Sequence, residues 1–190
     1  ENKPYSVFTP FKNTWLAHIE SHPRKLEPEP KAQKKVTDDD ISYSEFTARI
    51  EKPFAALESD FVLDSEMKDK MTSMWPAGEE EAHNRLDRFA KSRMREYHES
   101  RNFPYLADGT SALSPYLALG VISARACFLR AKLENHGKTS SGSEGICTWI
   151  SELCWRDFYR HILHHFPRVA KGQPFKLVSD RVEWNYPKSD

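Results

Sequence analysis

The chain has 190 residues, of which 38% are hydrophobic and 29% are charged, and its formal net charge is zero. A neutral chain gives no overall electrostatic signal for nucleic acid, so any DNA binding must be local. No apolar run approaches the roughly 18 residues that a membrane span needs, and no signal-peptide pattern follows the first residue. The composition, with 7 glycines and 12% aromatic residues, predicts a soluble, mostly helical, intracellular protein without a membrane segment.

The cysteines and histidines form no recognisable disulfide or metal pattern. The three cysteines are odd in number and have no CxxC spacing, which is typical of a reducing compartment. His161 and His165 lie at i, i+4, but no carboxylate completes an HExxH motif. We therefore predict no metal site and expect solvated or stacking histidines instead.

The first part of the chain combines short elements with linker composition. Residues 5–10 predict a short extended segment ended by proline, and residues 11–19 predict a short amphipathic helix. Residues 22–74 begin with a stretch rich in Pro, Lys, Glu and Asp and continue with scattered apolar positions, which indicates a linker with short helices. We therefore place residues 1–21 and 75–190 in different domains.

The second part is helical by its periodicity. Apolar residues recur at three- and four-residue steps over residues 82–97, which predicts one helix ending before Pro104. Ser114 is predicted to cap a short helix that Gly120 ends, and Ser123 to cap a second helix that runs to about residue 135.

A long helix over residues 146–166 carries a polar and aromatic face on an otherwise apolar surface. About a third of its circumference is occupied by Trp149, Glu152, Trp155, Arg156 and Tyr159. A helix that is apolar nearly all round is buried, and buried charges need partners or a function. Two interpretations stay open. Either Glu152 and Arg156 form an ordinary i, i+4 pair among core tryptophans, or this face binds a planar, anionic ligand.

Four motifs in order resemble the DNA photolyase and cryptochrome family, and most closely its class I cyclobutane-pyrimidine-dimer photolyases. Residues 149–161, WISELCWRDFYRH, resemble the WxxELxWR(D/E)FYRH signature, and residues 108–123, DGTSALSPYLALGVIS, resemble the GTSxLSxYLxxGxxSPR stretch, which RNFP precedes as expected. Residues 7–16, VFTPFKNTWL, are similar to the end of the family's amino-terminal domain, and residues 180–184, DRVEW, to a later segment.

The resemblance implies that the chain is an internal fragment with a mostly α fold. Residues 75–190 would form the first, incomplete part of a helical FAD-binding domain, after the tail of an α/β antenna domain at 1–21 and the linker at 22–74. The implied activity is light-driven repair of pyrimidine dimers in DNA by electron transfer from reduced FAD, with the electron returning after the dimer splits.

The resemblance also implies further partners and a location. A second antenna chromophore, of folate or deazaflavin type, would lie in the domain that precedes the chain. The implied partner is UV-damaged DNA, and a monomer is expected. The implied location is the nucleus or mitochondrion of a eukaryote, or the cytoplasm of a bacterium. We expect the 190 residues alone neither to retain FAD nor to repair DNA.

The site residues follow from the resemblance position by position. Those implied to contact the cofactor are Tyr97, Thr110, Ser111, Ala112, Leu113, Ser114, Trp149 and Arg156. Those implied to contact DNA are Arg101, Glu152, Trp155, Arg156 and Tyr159. Trp155 would stack on the flipped-out dimer, and Glu152 would bind its pyrimidine edge. The catalytic set is completed by Trp184, which resembles the surface end of an electron-transfer chain of tryptophans.

One position departs from the family pattern, and several site residues have simpler explanations. The family often has Arg or Lys where this chain has Ala112, so a cationic phosphate contact is missing. Without the resemblance, the hydroxyls of Thr110, Ser111 and Ser114 would be turn and cap residues, and Arg101 a solvated charge at a helix end. A cryptochrome-like blue-light photoreceptor and a cofactor-free helical interaction module are the alternative functions.

Overall fold

The computed structural model describes residues 3–22 and 64–183, and all secondary structure within these ranges is helical. The α-helices are α1 Phe8–Ser21, α2 Ser65–Met74, α3 Glu79–Ser92, α4 Tyr97–Ser100, α5 Ser114–Leu119, α6 Ala124–Glu134 and α7 Glu144–His165. Short 3-10 turns cover Met94–Glu96, Val169–Lys171 and Leu177–Arg181. These helices confirm the predicted mostly α fold. None of the helices in the described ranges is long and apolar enough to cross a membrane.

The chain divides into two compact units, of which residues 1–26 and 82–190 form one and residues 27–81 the other. The second unit is described only over 64–81, where the Asp64 side chain caps α2 by accepting a hydrogen bond from the Met67 backbone N–H at 2.7 Å. Most of the predicted linker lies outside the described residues. That α1 belongs to the tail of an α/β domain stays a prediction.

The first unit is built around α7. Helices α1, α4 and α6 and the turn Met94–Glu96 all pack against it. Gly145, in the first turn of α7, makes the closest of these contacts possible, because a Cβ at that position would overlap the carbonyl oxygen of Arg95. The buried residues of α7 are Gly145, Ile146, Trp149, Ile150, Leu153, Cys154 and Phe158.

The single helix predicted over residues 82–97 is interrupted after Ser92, so that prediction is wrong in its middle. Continuing the apolar stripe of α3 by helical steps would bring the charged Arg93 into the core. The turn that begins at Met94 keeps the apolar Met94 in the core, with no exposed surface, and leaves Arg93 exposed. The Ser92 hydroxyl donates to the Arg88 carbonyl at 2.7 Å, a local bond that competes with helix continuation.

Local end signals are confirmed with small shifts. Gly120 ends α5 with a φ of 75°, and the Ser123 side chain caps α6 by accepting from the Ala126 N–H at 3.0 Å. Ser114 is the first helical residue of α5 and not its cap. At the start of the chain the extended segment ends at Val7, and Pro10 lies inside the first turn of α1, where its missing N–H has no intrahelical partner to lose.

Candidate functional site

The outer face of α7 carries an ion pair that joins two distant parts of the sequence. The Arg101 guanidinium donates through Nη1 to Glu152 Oε1. The same guanidinium lies over the Tyr97 ring, 5.5 Å from its centroid. The Arg101 and Glu152 side chains are 36% and 33% exposed, so the pair is accessible to a ligand. Burial, and then the negative charge of Glu152, raise the pKa of Tyr97 above its usual value.

Arg156 does not pair with Glu152 in the way that the i, i+4 interpretation predicts. Its Nη2 donates to the Leu117 carbonyl oxygen at 2.9 Å. It also lines a cavity of about 400 Å³ with Trp15, Arg125 and other side chains of α1, α6 and α7. Glu152 therefore has Arg101 as its partner, and Arg156 holds the end of α5.

Trp149 is part of the hydrophobic core. It is 3% exposed, and its ring lies 5.5 Å from that of Phe89 in α3 with the planes 47° apart. The Tyr97 ring contacts Phe89 edge-on at 5.8 Å. Trp149 and Tyr97 therefore join α7 and α4 to α3 through one shared phenylalanine.

Trp155 lies between two aromatic rings. Phe8 of α1 stacks on it with centroids 3.5 Å apart and planes 7° apart, and Tyr159, one turn along α7, lies 5.5 Å away. Trp155 is half-buried, whereas Tyr159 is 59% exposed. No pattern in the sequence indicated that Phe8 would contact Trp155. One face of the ring expected to stack on DNA is covered by an internal contact.

A second cavity, of about 380 Å³, is formed between α3 and the loop before α5. The loop side is lined by Thr110, Ser111 and Ala112, and the helix side by Arg85, Arg88 and Arg93. Hydroxyls and guanidinium groups are the donors that phosphate oxygens bind in proteins. The residues present therefore fit the phosphate part of a nucleotide cofactor. None of the three arginines was identified from the sequence, although Arg85 and Arg88 lie at i, i+3 on a predicted helix.

Buried contacts hold this loop in place. The Ser100 hydroxyl donates to the Gly109 carbonyl at 2.8 Å, and a Cβ on Gly109 would lie 2.9 Å from the Ser100 carbonyl oxygen, which only glycine avoids. Ala112 has a φ of 48°, in the left-handed region that non-glycine residues rarely adopt. Leu113 is buried in the core, and Ser114 is exposed.

The structure thus divides the expected site residues among separate places. Thr110, Ser111 and Ala112 line the cavity beside α3, which we call the arginine cleft. Arg101 and Glu152 form the exposed ion pair on α7, and Arg156 lines the other cavity. Trp184 lies outside the described residues. Among residues 3–22 and 64–183 there is no cluster of three or more potential metal ligands.

These features define a helical protein with a cation-lined cleft and a separate polar, aromatic face. No protein-family model matches the chain. The chain is 39% identical over 189 residues to a deoxyribodipyrimidine photo-lyase of Neurospora crassa, an alignment that covers 96% of this chain and 29% of that protein. It is 34% identical over 186 residues to the deoxyribodipyrimidine photo-lyase of Vibrio cholerae, covering 95% of this chain and 34% of the relative.

A third relative is the mitochondrial deoxyribodipyrimidine photo-lyase of Saccharomyces cerevisiae, which is 29% identical in an alignment of 193 positions that covers 95% of this chain and 31% of that protein. The chain is therefore homologous to a segment of the deoxyribodipyrimidine photo-lyases, which confirms the family resemblance. It spans about a third of the length of these curated relatives.

Proposed function

We propose that the protein containing this chain repairs cyclobutane pyrimidine dimers in DNA with light, using bound FAD. The observation that carries the proposal is the Arg101 and Glu152 pair, which joins a cation suited to phosphate with a carboxylate suited to a pyrimidine edge. Both side chains are about one third exposed, so DNA reaches them from outside. Homology along nearly the whole chain supports the same activity.

The fit of the cofactor rests on the arginine cleft. Thr110 and Ser111 would donate hydrogen bonds to phosphate oxygens there, and the three arginines would balance the phosphate charge. When it is bound and reduced, FAD supplies the electron that light transfers to the dimer. Trp149 and Leu113 support this site by packing, because both are buried in the core. Tyr97, also buried, connects the cleft side of α3 with Arg101.

The chain's own residues would act on the dimer by binding and by charge. Glu152 accepts a hydrogen bond from a pyrimidine N–H through the oxygen that does not bind Arg101. The Arg101 guanidinium lowers the energy of the negative charge that the dimer carries after it receives the electron. Two carbon–carbon bonds of the cyclobutane ring then break, and the electron returns, so no net oxidation or reduction occurs.

Stacking of the dimer on Trp155 requires an exchange of partners. Phe8 covers one face of the Trp155 ring, and Tyr159 lies beside it. A flipped-out dimer would replace the Phe8 contact with the face of a saturated pyrimidine ring, which restores van der Waals contact but no aromatic stack. We also propose a second antenna chromophore outside this chain, Arg156 as a residue that positions the site through α5, and an electron-transfer role for Trp184.

The test is light-dependent loss of thymine dimers from an irradiated oligonucleotide by the full-length protein. We expect repair by the unaltered protein in light and none in the dark. The double variant Glu152→Ala, Trp155→Ala should lose most of the activity, whereas His164→Gln, an exposed change near the end of α7, should retain it. If the unaltered, flavin-loaded protein repairs no dimers in light, the proposal is wrong and the photoreceptor alternative is favoured.

A further inference from the structure

The arginine cleft has its positive charge on one side only. The loop side offers two hydroxyls, the uncharged Ala112 and the carboxylate of Asp108, whereas the helix side offers Arg85, Arg88 and Arg93. A doubly charged anion in this cleft would therefore find its counter-charge on the α3 side. The loop would contribute hydrogen bonds but no cation.

We propose that Arg88 and Arg93 bind the diphosphate of FAD in the arginine cleft and supply the positive charge that Ala112 does not. The inference rests on the proposed function, because it takes the anion in this cleft to be the FAD diphosphate. It assigns cofactor-binding roles to two residues that neither the motifs nor the relatives' names indicate.

The three arginines differ in how firmly they are held. The Arg85 guanidinium lies over the Tyr116 ring at 5.6 Å, so it is fixed against α5 at the inner end of the cleft. Arg93 binds Glu96 at 3.2 Å, in a pair whose side chains are 50% and 64% exposed. Exposed pairs of this kind contribute little, so Arg93 can exchange Glu96 for a phosphate at small cost. Arg88 is exposed on the same side of α3.

The volume of the cleft also agrees with a phosphate site. At about 380 Å³ it is near the lower end of the range for small-molecule sites, which is roughly 300 to 1,000 Å³. It has room for a diphosphate and an adjoining sugar but not for a whole dinucleotide. The remainder of the ligand would extend beyond the cleft.

The experiment measures the dissociation constant of FAD from the full-length apoprotein by flavin fluorescence. Arg88→Gln and Arg93→Gln should each weaken binding by roughly three- to tenfold, and the double variant by more. Lys91→Gln is the matched control, because it removes one positive charge from the same exposed segment of α3 without lining the cleft. It should leave the dissociation constant within about twofold.

A change at position 112 tests directly whether Arg88 and Arg93 supply the charge that Ala112 does not. Ala112→Arg adds no new Cβ, so it brings little additional strain at this left-handed position. It should restore most of the FAD affinity in the double variant and add little to the unaltered protein. Arg88→Lys, which keeps the charge, should lose less affinity than Arg88→Gln.

The possible failures are distinguishable. If the full-length protein binds FAD and the arginine variants bind it equally well, the inference is overturned and the proposed function stands. If Lys91→Gln weakens binding as much as the cleft variants, the effect is general electrostatics and the inference is again overturned. If the unaltered protein binds no FAD at all, both the inference and the proposed function fail.

Discussion

The inner and outer faces of α7 each carry a tryptophan, but the two faces have different surroundings. On the inner face Trp149, Ile150 and Cys154 are buried against neighbouring helices. On the outer face Glu152 and Trp155 are half-buried: Glu152 pairs with Arg101, and Trp155 lies between Phe8 and Tyr159. The difference teaches that a site residue can act in two ways. In the proposed function the inner residues would hold the site together, and the outer residues, which are accessible from the surface, would contact the ligand.

The largest expected effect is on the inner face. Trp149→Ala removes a buried ring that contacts Phe89, and it should lower the free energy of unfolding by about 3 to 5 kcal/mol. Tyr159→Ala, on the exposed side, should change it by about 0.5 kcal/mol or less. Urea denaturation of both variants measures the contrast. Equal decreases in the free energy of unfolding would mean that the inner and outer faces of α7 are packed equally well.

The second expected effect is a pH dependence that arises from the inner face. Burial raises the pKa of the Cys154 thiol to about 12 from an ordinary value of 9.0. At a pH between these two pKa values the thiol is deprotonated in the unfolded chain but stays protonated in the folded chain. The contribution of the thiol to the free energy of unfolding is therefore fully present below pH 9 and is lost as the pH rises above 9. Each buried thiol contributes at most about 1.4 kcal/mol per pH unit in this window.

This contribution is measured as the difference between the unfolding free energies of the unaltered protein and of Cys154→Ala across the alkaline range. The variant should show a shallower decline, although it is less stable at neutral pH. Parallel curves would contradict a protonated, buried thiol on the inner face.

On the outer face, Arg101 should act on all DNA alike. Arg101→Gln removes a cation suited to phosphate, so it should weaken binding to intact and dimer-containing duplex by similar factors and reduce the salt slope by about one. Glu152→Gln should weaken binding to dimer-containing duplex alone. Titrations at several salt concentrations measure both effects. A dimer-specific loss in Arg101→Gln would show that this arginine reads the lesion.

The smallest expected effect is the coupling between these two residues. Because both side chains are about one third exposed, a double-mutant cycle on unfolding should give about 1 kcal/mol or less. A much larger coupling energy would mean that the pair is structural. Its two side chains would then serve the stability of the fold and not the binding of DNA.

The elements were predictable where their causes are local. The Gly120 end of α5 and the Ser123 cap of α6 depend on neighbouring residues, so the sequence was sufficient to place them. Contacts between distant residues were not predictable, because no local pattern connects Phe8 with Trp155, or Arg101 with Glu152 across 51 residues. The end of α3 at Ser92 was also not predicted, although a charged residue, Arg93, at a position where a continued helix would be buried could have indicated it.

The helical wheel placed Trp149 together with Glu152 and Trp155, because all three lie within a third of the circumference of α7. A helical wheel does not show which neighbouring helix packs against each of these residues. Phe89 of α3 covers Trp149, whereas Phe8 and Tyr159 contact Trp155 and Arg101 pairs with Glu152. The family motif places all three residues on one helix, whereas the division into inner and outer residues required the fold.

The central claim is that the outer face of α7 receives the dimer, and dark binding tests it most directly. The measurement is the ratio of the dissociation constants for intact and dimer-containing duplexes of one sequence. Glu152→Ala and Trp155→Ala should each reduce this ratio, by roughly tenfold for the loss of stacking on Trp155. Trp149→Phe, a conservative inner-face change, should preserve it. An unchanged ratio in both outer-face variants would contradict the claim.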